Sequence, residues 1–87
     1  MTAVDAALVR EQGVNFAVLS VKAHVLNSPT ERTRVVQSFA GVVGGRPVVL
    51  MAQDARGRAT FWGRSDIVRF LSAVPLGALP WRRYDLH

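Results

Sequence analysis

The chain has 87 residues and a mass of 9.5 kDa, with 49% hydrophobic and 20% charged residues, a formal net charge of +5 and no cysteine. That length sets one domain, residues 1–87, with a single core between two layers, and the composition is too apolar and too weakly charged for disorder. The missing cysteines exclude a thiolate nucleophile, a redox pair, an iron–sulfur cluster and every zinc site that needs sulfur.

A domain this small is marginal alone, which makes a homodimer the expected state. Met1 to Asp5 carry an acid where a secretory signal has positive charge, and the apolar run Phe39 to Ala52 is broken by glycines, Arg46 and Pro47. The expectation is a cytoplasmic protein without a membrane span. The positive charge is uneven. Residues 1–43 hold four bases against three acids, whereas 44–87 hold seven arginines against three aspartates. Ten of the eleven bases are Arg, whose planar fork suits phosphate and stacks on bases. A GC-rich coding sequence writes the same composition without any such partner.

In chain order, Thr2 and Asp5 imitate a capping box, and Val4, Ala7 and Leu8 fall at helical spacing before Gly13, which predicts a helix over 3–12. From Val14 to Val25 the period becomes two, with Ala17, Leu19, Val21, Ala23 and Val25 alternating against Phe16, Val18, Ser20, Lys22 and His24, so a strand follows. Ser28-Pro29-Thr30-Glu31 combines an N-cap hydroxyl, a first-turn proline and a Glu three residues on. A helix begins there, with Val35, Val36, Phe39, Val42 and Val43 on one stripe and Gly44-Gly45 as its stop; Gly41 makes its last turn the weak part. Pro47 opens the strand Val48 to Ala52, Asp54 to Gly57 turn the chain, and Arg58 to Gly63 return antiparallel. Ser65-Asp66 cap a further helix whose Ile67, Phe70, Leu71 and Val74 face inward, and Pro75 stops it. Residues 76–87 form a last edge strand or an extended arm.

The expected fold is α+β, in the order helix, strand, helix, strand, strand, helix, tail, around a small mixed sheet of three to four strands with two or three helices. Residues 14–74 resemble in arrangement the strand–helix–hairpin–helix half of the thioredoxin-like fold, with Pro47 standing before the first hairpin strand. The Cys-x-x-Cys of that fold is absent, so no redox activity is implied. If 30–43 were strand, the chain would resemble a Sm-like or SH3-like small barrel with an amino-terminal helix; the Ser-Pro-Thr-Glu start argues against it.

Catalytic signatures are missing: there is no Gly-x-Ser-x-Gly elbow, Walker loop, His-Glu-x-x-His or dinucleotide fingerprint. With only His24 and His87, a metal site or a Ser–His–Asp relay lacks material. No cofactor, metal or catalysis is expected. A small-anion site combines Lys22 and His24 on one strand face with the helix start at Ser28 and Thr30. Its competitor is a cap in which Ser28 and Glu31 satisfy those amides themselves. Gly45-Arg46-Pro47 matches the core tripeptide of the AT-hook without its basic flanks.

The polyanion candidate joins Arg56, Arg58, Trp62 and Arg64 of the hairpin to Trp81, Arg82, Arg83 and Tyr84 of the tail. Bases stack on aromatic rings while guanidinium groups hold phosphates, which is the chemistry of single-stranded RNA or DNA binding. On a ribbon, Arg58, Thr60, Trp62 and Arg64 share one face, so exposure of Trp62 decides between a stacking platform and a core residue. The expected function is a non-enzymatic basic module for RNA or single-stranded DNA. The alternative is a protein–protein accessory subunit, dimer-forming and without nucleic-acid activity.

Overall fold

The computed structural model describes residues 2–11 and 13–86. The strands are β1 (Thr2–Glu11), β2 (Val14–Ser20), β3 (Val48–Gln53), β4 (Ala59–Trp62) and β5 (Trp81–Leu86). Between them lie α1 (Ala23–Leu26), α2 (Pro29–Ser38), α3 (Ala40–Val43), α4 (Ser65–Ser72) and a 3-10 turn at Leu76–Ala78. The five strands form one open mixed sheet in the order β4-β3-β2-β1-β5, an α+β architecture with two free edges. Only β2 and β3 run parallel, and the crossover between them carries α1 to α3.

The helix expected over 3–12 is a strand. Val4, Ala6 and Leu8 pack on one side of the sheet while Ala7 and Val9 pack on the other, so the segment is apolar on both faces. In a strand buried on both faces the period-two signal vanishes, and the remaining alanines imitate a helix. Pairing decides: β1 is bonded to β2 from Asp5↔Ser20 to Glu11↔Val14 and to β5 from Thr2↔Leu86 to Ala7↔Trp81. Gly13, at φ 77, turns the β1–β2 hairpin where a side chain would be strained.

Packing also moves three other boundaries. The expected strand 14–25 ends at Ser20, and the chain turns at Lys22 into α1, which seats Leu26 in the core. The helix expected to reach Val43 breaks at Phe39, whose backbone (φ −105, ψ 17) leaves helical geometry and whose ring is 3% exposed. Burial of the ring sets the break, ahead of Gly41. The tail is the edge strand β5, and with β1 it raises the strand count above the expected three to four.

Instead of one core between two layers there are two clusters, one on each side of the sheet. Val4, Ala6, Ala17, Leu19, Leu50 and Ala52 meet Leu26 and Phe39 beneath α1 to α3. Ala7, Phe16, Val18, Val49 and Met51 meet Ile67 and Leu71 of α4 and Leu79. Phe70 of α4 meets Phe16 edge to face, with centroids 6.1 Å apart. The strand–helix–hairpin–helix order from β2 to α4 is as expected, and the Pro47 carbonyl joins the β2–β3 ladder by accepting from Ala17 N at 2.9 Å.

Gly63 is where β4 leaves the sheet for α4. A Cβ added there would stand 2.8 Å from Val49 Cγ2 and 3.1 Å from the Val48 carbonyl oxygen, inside normal contact and against fixed backbone. Gly63→Ala is therefore expected to destabilise the domain by about 1–3 kcal/mol in urea unfolding; wild-type stability would contradict this packing of the β4–α4 junction.

Candidate nucleic-acid interface

The loop that carries Arg56 and Arg58 is built by one carboxylate. Asp54 Oδ1 accepts from Arg56 N and Arg58 N, each at 2.9 Å, and Gly57 supplies φ 81. Gln53 Nε2 donates to the Gly57 carbonyl at 3.1 Å and ties the loop to β3. Arg56 and Arg58 are thus held exposed at the tip of the hairpin. Arg58 Nε lies 3.8 Å from Asp54 Oδ2, a weak surface pair, and Arg56 has no ion pair among the described residues.

Trp62 pairs in register with Leu50, on the side of the sheet that α1 to α3 cover. It is the exposed large apolar side chain of the described residues, with 43% of its surface open. The Arg32 guanidinium of α2 stacks over its ring with Cζ 4.6 Å from the centroid. Arg32 Nη1 also donates to the Leu26 carbonyl at 2.7 Å and closes the end of α1, while its Nε is buried without a partner. Arg32 is invisible to sequence reasoning, because its partner lies thirty residues downstream and meets it only through the crossover of α2 onto the sheet.

Arg64, just before α4, grips Asp66 with both prongs, Nη2 to Oδ2 at 2.6 Å and Nε to Oδ1 at 3.1 Å. These hydrogen bonds hold the Asp66 carboxyl below the ordinary carboxylate range and the Arg64 guanidinium above its own. A phosphate that takes Arg64 through the same two prongs, Nε and Nη2, displaces Asp66.

The tail half of the candidate surface stands elsewhere. β4 and β5 are opposite edges of the sheet, four strand spacings or about 19 Å apart. Trp81 is half-buried against the α4-side cluster, with Nε1 donating to the Leu76 carbonyl at 2.8 Å, and Tyr84 packs on the opposite cluster. Arg83 Nε donates to Asp5 Oδ1 at 3.2 Å, and Arg82 is exposed without an ion pair among the described residues. The structure therefore gathers Arg56, Arg58, Trp62 and Arg64 on one edge with Arg32, and leaves Trp81, Arg82, Arg83 and Tyr84 on the other.

The small-anion candidate takes a different form from the expected one. Lys22 and His24 lie at the start of and within α1, not on a strand face, because β2 ends at Ser20. Ser28 Oγ accepts from Glu31 N at 3.3 Å, so the cap satisfies that amide, and Thr30 is exposed in the first turn of α2.

Two clefts share Ser20, at the carboxyl end of β2. One of about 330 Å³ lies among Asp5, Ser20, Met51, Gln53, Leu76 and Trp81; the other, of about 480 Å³, includes Val4, Ser20, Lys22, His24, Val35 and Phe39. No group of three or more metal-ligating side chains occurs among the described residues, and no helix among them is long and apolar enough to cross a membrane. No protein-family model, curated protein or solved structure matches this chain significantly.

The Arg32–Trp62 stack is expected to couple the two side chains by about 0.5–1 kcal/mol in a double-mutant cycle of Arg32→Ala and Trp62→Ala. Urea unfolding of the four proteins measures it. Additive losses would show that the two merely touch.

Proposed function

We propose that the domain is a non-enzymatic binding module that takes single-stranded RNA or DNA along its β4 edge. The observation that carries this reading is the exposed Trp62, held in place by Arg32 and flanked by arginines at the hairpin tip and the start of α4. Arg32 stacks over part of the indole and steadies it, and the 43% of Trp62 that stays open leaves room for a base to stack on the ring. Base stacking on such a ring is worth about 1–3 kcal/mol and tolerates any sequence. Arg56 and Arg58 offer the phosphate contacts at the tip, and Arg64 offers a further one once Asp66 lets go.

The experiment is fluorescence anisotropy of a labelled single-stranded RNA titrated with the protein at several salt concentrations. The expected result is affinity that falls steeply with salt, with Trp62→Ala weakening it by a factor of roughly 5 to 100. Arg56→Ala with Arg58→Ala flattens the salt slope by about 0.7 for each phosphate that is no longer neutralised, and Asp66→Asn strengthens binding by freeing Arg64. Arg82→Ala leaves both affinity and slope unchanged. Absence of binding at low salt would overturn the proposal and favour an accessory protein–protein role, and loss of binding in Arg82→Ala would move the site to the other edge.

A further inference from the structure

The β5 edge has no part in that reading, yet it is the longer of the two open edges. β5 spans six residues and bonds only to β1, whereas β4 spans four and ends at Trp62. An open strand presents a row of unpaired amide and carbonyl groups, a template for another strand. We propose that this edge is the seam of a homodimer, in which β5 pairs antiparallel with β5 of a second copy so that Arg83 of each chain faces the partner's Asp85.

Symmetry and charge select that register. Two copies of one strand pair antiparallel about a two-fold axis normal to the sheet, and such an axis keeps each face of the sheet on its own side. Residues opposite one another must then belong to the same face, so the axis passes midway between one residue of β5 and its own copy, which is then the residue on the axis. With Arg83 on the axis, two guanidinium groups meet head on, which like-charge repulsion disfavours. With Tyr84 on the axis, Arg83 lies opposite the partner's Asp85 twice, and Tyr84 lies opposite the partner's Tyr84.

The single chain is prepared for the second arrangement. Arg83 already pairs in register with Asp5 of β1, with an ion-pair distance of 3.2 Å, so the partner's Asp85 completes a row in which each guanidinium sits between two carboxylates. Asp85 itself is exposed and has no ion pair among the described residues. Trp81 and Tyr84 are only half-buried at this edge.

The dimer stands independently of nucleic-acid binding. It makes one continuous ten-stranded sheet from two five-stranded ones, with β4 and its Trp62 at both far ends on the same face.

The absence of cysteine makes the register directly testable. Tyr84→Cys introduces a lone thiol whose copy across the axis would have its Cα about 4.5–5.5 Å away, within disulfide reach. Mild oxidation with copper–phenanthroline is expected to convert most of this variant to a covalent dimer, and Arg83→Cys far less. Analytical ultracentrifugation of the wild type is expected to give twice the 9.5 kDa mass at high concentration. Asp85→Arg, with its fold checked by circular dichroism, is expected to weaken association at least tenfold. A wild type that stays monomeric, an Asp85→Arg protein that dimerises as well as the wild type, or faster cross-linking through Arg83→Cys would each overturn the proposal.

Discussion

The structure depends on the burial of β2. Its Phe16, Ala17, Val18 and Leu19 are each 2% exposed or less, so this strand is closed on both faces and both edges. A sheet whose middle is buried on both sides needs helices on both sides. The crossover from β2 to its parallel neighbour β3 places α1 to α3 over one face, and the chain's return from β4 to β5 places α4 and the 3-10 turn over the other. Everything at the surface follows from that division, including which edge receives which arginines.

The two edges differ in chemistry because they differ in what lies next to them. α2 crosses near β4, so Arg32 reaches Trp62 and fixes it while leaving it wet. β5 lies beside β1, whose Asp5 takes Arg83, and beneath the 3-10 turn, whose Leu76 carbonyl takes the Trp81 indole N–H. One aromatic among arginines is thereby left open to solvent, and the other is a structural anchor.

The residues legible from sequence were those governed by local physics. Ser28-Pro29-Thr30-Glu31 starts α2, Asp54 and Gly57 turn the hairpin, Pro75 follows α4, and all of these act through neighbours within a few positions. β1 was hidden because an alanine-rich strand buried on both faces loses its alternation, and only pairing with β2 and β5 separates it from a helix. The division of the arginine-and-aromatic residues between two edges was equally hidden, since strand order is set by the packing of the whole sheet. Exposure of Trp62 and its pairing with Arg32 are long-range facts of the same kind, whereas the alternation of Thr60 and Trp62 could be read from the hairpin itself; Arg58 and Arg64, expected on the same strand face, lie just outside β4.

If a single-stranded ligand meets the β4 edge through Trp62, the two tryptophans of the chain must respond differently to it. A nitrogen–proton correlation spectrum is expected to give two indole signals, one from the exposed Trp62 and one from Trp81, whose Nε1 is bonded to the Leu76 carbonyl. Titration with a short single-stranded RNA is predicted to move the Trp62 indole together with the Arg56 and Arg58 amides and to leave Trp81 in place. Movement of Trp81 with Trp62 unchanged, or of neither, would contradict binding at this edge.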